Sequence, residues 1–233
     1  MTDDAHDQDH KYTIGRDVDL KAEQEKTLSG PEMKPGFILG LLVFGYDLVY
    51  GKARTLPKFK VLEILARPPY WAWEDGGYRA LTRRYARTGL PEEEGTRRSL
   101  DLVDLGRESQ DNEQWHLFLI EEVIARKGIK LGWFRHWLLP RILSWKYYYF
   151  TRLLFLINPA WSFRLNAEFE SHAEHQYMLM SREHPEWDEE EIDLAFFDHY
   201  PRQKTLGDLV RRIGLDERDH KHHSLEAIEQ LKF

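Results

Sequence analysis

The chain has 233 residues, 42% hydrophobic and 31% charged, with no cysteine and a formal net charge of -7. That length suits one globular domain with a sizeable core. The absence of cysteine excludes a disulfide framework, a thiolate metal site and a cysteine nucleophile, and the acidic balance argues against a nucleic-acid partner. Aromatic residues make up 13%, with 8 Trp, a surplus that suits a dense core or a surface at a membrane interface.

The opening stretch, MTDDAHDQDH, is acidic and polar. It lacks the basic and apolar regions of a secretory signal and is unlike an Arg-rich transit peptide. Residues 1–35 read as a disordered polar tail ending around Gly30, Pro31 and Pro35, and 36–233 as one helical domain. From residue 36 apolar positions recur at helical spacing. The pattern predicts helices near 36–51, 57–87, 100–127, 133–157, 161–183 and 205–231. Pro57, Pro68-Pro69, Gly89-Leu90-Pro91, Gly132, Pro159, Pro185 and Pro201 read as its breaks. Strand-like alternation is scarce, so the expected class is all-α.

Two of these segments carry a membrane signature. GFILGLLVFGYDLVYG (36–51) is apolar but short, and it contains Asp47. No window reaches the roughly 18 uncharged apolar residues of a spanning helix. WFRHWLLPRILSWKYYYFTRLLFLI (133–157) is interrupted by Arg135, Arg141, Lys146 and Arg152. Long cationic chains reach lipid phosphates while Trp and Tyr sit at headgroup level, so a helix lying in one leaflet is expected there, with a buried helix as the plainer alternative. The run Asp188 to Glu191 reads as a solvated helix start.

Chemistry enters with E-x-x-H, which occurs as Glu113–His116 and again as Glu217–His220. Residues at i and i+3 share a helix face, so each pair can reach one metal. With 11 His in the chain, a single such pair is weak. The single carboxylates between the pairs strengthen it. Glu63 interrupts an apolar segment, VLEILARPPYW, and Glu170 lies in LNAEFESHAEHQYML. The order Glu, Glu-x-x-His, Glu, Glu-x-x-His is what a ferritin-like di-iron four-helix bundle requires. Four carboxylates and two imidazoles form a hard, oxygen-rich set suited to iron or manganese. Turned into one core without a cation, the carboxylates would repel. Glu168 and Glu174 rival Glu170, and His172, His175, His222 and His223 are further candidate ligands more easily read as neighbours of the site.

FKVLEILARPPYWAW, NEQWHLFLIEEV, ESHAEHQY and LDERDHKHHS resemble the four motifs of the alternative oxidase family, above all its plastid-terminal-oxidase-like branch. RTLPKF and YYYFTRLLFLINPAWSFRLNAEF add to the likeness, which covers roughly residues 36–225. The resemblance implies a monotopic, membrane-bound quinol oxidase with two iron ions, with additional membrane-associating helices around the bundle. Such an enzyme oxidises ubiquinol or plastoquinol and reduces O2 to water without pumping protons. It implies Glu63, Glu113, His116, Glu170, Glu217 and His220 as metal ligands, with Glu113 and Glu217 bridging. It places Asn112 and Asp216 where they orient the histidines, Tyr177 as the redox-active tyrosine, and Lys58, Leu62, Ala173 and Gln176 beside the quinol. A homodimer on the cytoplasmic face of a bacterial inner membrane is the expected setting. Lys58 stands where mitochondrial members carry Arg, which keeps the charge and loses the fork. A di-iron hydroxylase or desaturase acting on a lipid-soluble substrate would share these ligands, as would a ferritin-like iron-binding protein, although a soluble cage has no use for the 133–157 stretch.

Overall fold

The computed structural model describes residues 18–88 and 93–230, and among them seven α-helices and no strand. They are α1 (Leu20–Ser29), α2 (Phe37–Tyr50), α3 (Leu56–Thr88), α4 (Glu93–Arg126), α5 (Leu139–Ile157), α6 (Pro159–Glu183) and α7 (Leu206–Gln230). A π-helical turn, Phe134–Leu138, leads into α5. The all-α expectation holds, with differences in detail. α4 begins seven residues before its expected start, and Pro68-Pro69, read as a break, lies inside α3. Their missing N–H groups deprive the Ile64 and Leu65 carbonyls of their usual helical partners. The Gly89-Leu90-Pro91 break lies outside the described residues.

The expected tail is also different from the structure over its second half. Residues 1–17 lie outside the described residues, but 20–29 form α1, capped by the Asp19 carboxylate, which accepts from the Lys21 and Ala22 amides. α1 packs on α6 and α7 through buried Gln24 and Thr27. Gln24 donates to the Met178 carbonyl at 2.7 Å and accepts from Arg211 at 3.0 Å. Arg218 joins Glu23, Thr27 and the buried Glu174. Polar composition hid this segment because its buried face is built from hydrogen bonds rather than apolar side chains.

The helices that carry Glu63, Glu170 and the two Glu-x-x-His pairs form two antiparallel pairs, α3 with α4 and α6 with α7. Gly106 lets α3 and α4 meet: a Cβ there would stand 2.7 Å from the Tyr70 carbonyl oxygen. The two pairs approach each other less closely than their members do. A large apolar cluster (Phe59, Leu62, Leu119, Ile120, Tyr177 and Ile213 among its members) fills one end of the gap. A smaller one around Tyr70, Trp73 and Phe163 fills the other. The polar site lies between them, shielded from water on both sides. The chain between α6 and α7 runs through two short 3-10 turns that tuck Trp187, Phe197 and Tyr200 against the bundle. Asp188 therefore starts no long helix; it pairs with Lys21 and Arg211.

Candidate metal centre

Glu63 from α3, Glu113 and His116 from α4, Glu170 from α6 and Glu217 and His220 from α7 all point into one buried space. They form two overlapping sets. Glu63, Glu113, His116 and Glu217 offer donor atoms within 4.8 Å of one another, and so do Glu113, Glu170, Glu217 and His220. Glu113 and Glu217 belong to both. His116 Nδ1 lies 3.3 Å from Glu63, 3.7 Å from Glu113 and 3.5 Å from Glu217. His220 Nδ1 lies 2.8 Å from Glu113 and 3.4 Å from Glu217. The i, i+3 spacing does this work on α4 and α7 by stacking each pair on one face.

The residues fit a pair of cations. At least one carboxylate oxygen of each glutamate, together with Nδ1 of both histidines, is buried without a hydrogen-bond partner, although the atoms converge. Buried polar atoms are normally satisfied, so a converging group of orphans marks a place for something that accepts their lone pairs. Each set supplies three carboxylates and one imidazole, a donor mixture suited to iron or manganese. The electrostatics agree. Burial and then the Glu113 charge push Glu63 well above the ordinary carboxylate range. Burial and then Glu217 and Glu113 do the same to Glu170. Burial works against the charged forms of both histidines, but the groups around them outweigh it and raise both. Burial likewise opposes ionisation of Glu113, yet contact with His116 and His220 holds it below the ordinary range. Protons on these groups offset charge that metal ions would otherwise neutralise.

Surrounding residues fix these side chains. Asp216 is buried; its Oδ1 accepts from Arg212 at 2.7 Å, and its Oδ2 accepts from Tyr200 at 2.6 Å and from His116 Nε2 at 3.1 Å. This leaves Nδ1 of His116 turned to the carboxylates, the arrangement in which an outer acceptor sets ring orientation. Asn112 is buried beside Glu113 and shares a cleft wall with His220. The Glu170 carboxylate accepts from Tyr70 at 2.7 Å and Asn166 at 3.0 Å. Tyr177 donates to Glu63. Tyr70, Asn166, Arg212 and Tyr200 were not found in the sequence reading. Asn166 lies four residues before Glu170 and Arg212 four before Asp216, spacings that put each on its partner's face; Tyr70, whose partner Glu170 is on another helix, and Tyr200 carry no such signal.

The rival residues serve other purposes. Glu168 accepts from the Gly36 amide at 2.8 Å and from Arg164 at 3.2 Å, and a Cβ on Gly36 would stand 2.9 Å from its carboxylate. Glu174 pairs with Arg218 and Lys221. His172 meets Glu32 and His175 the Ser171 carbonyl.

A cleft of ≈ 720 Å³ with a largely apolar wall reaches inward from α2 and α5 toward this centre, and none of the six residues lines it. Lys58, Leu62 and Gln176 line it; Ala173 does not, being buried in the core beneath. Lys58 turns its ammonium away to Asp47 (2.6 Å) and the Gly51 carbonyl (2.7 Å). The cation facing Gln176 is instead Arg54, whose Nε donates to Gln176 Oε1 at 2.9 Å. Phe59 in the cleft wall packs edge-on against Tyr177, ring centroids 4.5 Å apart, so one side chain separates the cleft from the Tyr177–Glu63 pair.

The alternative oxidase family model matches residues 93–227, a range that holds Glu113, His116, Glu170, Glu217 and His220 but begins after Glu63. Ubiquinol oxidase 4, chloroplastic/chromoplastic, of Arabidopsis thaliana is 30% identical over 131 residues. That alignment covers 56% of this chain and 32% of the relative, so the match spans about a third of that protein's length. No solved structure matches. The family match takes in more than half of the chain and contains both Glu-x-x-His pairs on facing helices: the chain belongs to the alternative oxidase family.

Proposed function

We propose that the protein is a membrane-associated quinol:oxygen oxidoreductase that couples oxidation of two quinols to reduction of one O2 to two waters, without pumping protons. The observation that carries this reading is the adjacency of two overlapping ligand sets to an apolar cleft. Glu63, Glu113, His116, Glu170, Glu217 and His220 are the proposed ligands, with Glu113 and Glu217 shared between two irons. Iron bound there would supply the electron exchange between quinol and dioxygen. The chain's own residues do the rest. Asp216, and in our reading Asn112, orient the histidines. The two apolar clusters keep the site dry. Tyr177, its proton directed at Glu63 and its ring against Phe59, stands between cleft and centre; in our reading it would supply an electron and a proton to the reduction of dioxygen.

No described helix is long and apolar enough to cross a membrane. α2 and α5 nevertheless expose large apolar side chains, among them Phe37 (88% exposed), Leu48 (76%) and Ile157 (60%). The Tyr50 hydroxyl donates to the Arg135 carbonyl at 2.7 Å, tying the end of α2 to the turn before α5. Exposed Leu41 and Leu42 also line the cleft, so it opens through this surface. Seated in one leaflet, that surface would admit a quinol with its apolar tail still in lipid.

The test is oxygen uptake by iron-loaded protein with ubiquinol, plastoquinol and menaquinol in turn. We expect two irons per chain and quinol-dependent uptake that persists in cyanide. Uptake with none of the quinols by fully loaded protein would refute the oxidase reading and favour a hydroxylase or an iron-binding role.

A further inference from the structure

Besides the apolar cleft, a second one of ≈ 450 Å³ lies between α4 and α7, and its walls differ in kind. Asp101, Asp104, Glu108 and Asp111 line it from α4, and Asp219 and His223 from α7; among the described residues no Lys or Arg lines it. The α4 carboxylates recur at three- and four-residue steps, so they form one stripe about 15 Å long. All four residues are exposed, and Arg107, 3.8 Å from Asp104, offsets only part of their charge. Such a stripe on its own would be a solvated helix face.

What sets it apart is where it leads. Asp216 and His220 line the same cleft. His116 meets Asp216, and His220 meets Glu113, so α4 and α7 run antiparallel here. Moving back along α4 from Glu113 to Asp101 therefore means moving on along α7 from His220 past His223, and the cleft follows that direction outward from the centre. His220 is 5% exposed, whereas the other five converging residues are at most 1% exposed. Its Nδ1 has no hydrogen-bond partner, like the Glu113 and Glu217 oxygens it faces. The acidic wall thus ends on the most accessible member of the centre.

The apolar cleft is a poorer approach for a cation. Lys52, Arg54, Lys58 and Lys146 line it against one carboxylate, Asp47. Such a wall repels a hydrated divalent ion and has little oxygen to exchange for its water. The acidic cleft raises the local concentration of cations, and its carboxylates are hard oxygen donors that hold a divalent ion in passing.

We propose that the acidic cleft is the route by which ferrous iron enters the centre, drawn in by the α4 carboxylates and passed to the two ligand sets by way of His220. The apolar cleft is left to the organic substrate. The route rests on the reading of the six residues as iron ligands and is independent of which substrate the enzyme oxidises.

The test is the rate at which metal-free protein takes up ferrous iron without oxygen, followed by trapping unbound iron with a chromogenic chelator. Wild type is compared with the triple variant Asp101→Asn, Asp104→Asn, Glu108→Gln. A control triple, Glu25→Gln, Glu189→Gln, Asp193→Asn, makes the same change in net charge at exposed positions elsewhere. In low salt the cleft variant should load about tenfold more slowly, yet reach the same two irons per chain with an unchanged melting temperature. Added salt should slow the wild type toward the variant, because screening removes the attraction. Asp104→Lys alone, which puts a cation into the wall, should slow loading as well, and the control triple should load like wild type. Loading at the wild-type rate by both cleft variants would overturn the route while leaving the ligand reading intact. Equally slow loading by the control would make the effect one of net charge and overturn it too. A cleft variant that holds fewer than two irons at equilibrium would make these carboxylates part of the binding site rather than a path to it. A wild type that binds no iron would refute the ligand reading itself, and the route with it.

Discussion

Asp216→Asn probes how the centre is held. The carboxylate is buried and receives three donors, two on Oδ2 and one on Oδ1. Burial opposes its ionisation, but the Arg212 charge and the bond from His116 hold its pKa below the ordinary carboxylate value. As an ionised carboxylate it only accepts, so the His116 Nε2 facing it must carry a proton, which leaves Nδ1 free for the metal side. An asparagine keeps the shape but has one accepting oxygen. Its amide group must face either Arg212 or the Tyr200–His116 pair, and both are donors. Disrupting a buried pair in this way costs about 3–5 kcal/mol, which in a chain of this size lowers Tm by roughly 6–20 °C. Freed from Asp216, the imidazole loses its fixed orientation, and loss of such an outer acceptor weakens metal binding about 10- to 100-fold. Anaerobic calorimetric titration of metal-free protein with ferrous iron measures the second effect, and thermal unfolding the first. Asp193→Asn, at an exposed ion pair, should change neither. Folded Asp216→Asn protein that binds iron within twofold of wild type would refute the orienting role.

Two further outcomes are expected. Glu63, Glu170, His116 and His220 all have folded-state pKa values above their ordinary values of 4.5 and 6.5. In metal-free protein their stabilising contribution is therefore complete below those values and is lost as pH rises through the folded ones. Iron replaces these protons, so the Tm gain on iron loading should grow between pH 5.5 and 8, and a gap independent of pH would contradict the cluster's proton load. Phe44 and Leu48 sit one turn apart on the exposed face of α2; burying each in lipid contributes about 1.5–3 kcal/mol. Phe44→Glu with Leu48→Glu should reduce co-sedimentation with phospholipid vesicles at least 100-fold at unchanged iron content, and wild-type sedimentation would remove α2 from the membrane surface.

Much of the site could be read directly from spacing. Glu113–His116 and Glu217–His220 are local pairs, and one turn of helix places both members on one face whatever the rest of the chain does. Glu63 stood out as a charge in an apolar run, and Glu170 through its motif. The α2 surface was visible as a short run apolar on nearly all sides, and the α5 surface through cations set among Trp and Tyr. The α1 helix was not legible, since its docking rests on the Gln24, Thr27 and Arg218 hydrogen bonds, which have no period. Lys58 was placed beside the substrate by its motif, but Asp47 and the Gly51 carbonyl claim its ammonium, and Arg54 holds the place by Gln176.

The sequence by itself therefore determined the helices α2 to α7, the candidate ligand types and their pairing within each helix, because those depend on residues three or four apart. The tertiary structure decided which sets overlap, that Glu113 and Glu217 are common to both, that Tyr200 from an irregular segment completes the hold on Asp216, and that the acidic stripe of α4 shares a cleft with His220. Each of these requires groups tens to a hundred residues apart to meet, and only the packing of the two helix pairs against each other specifies that distance.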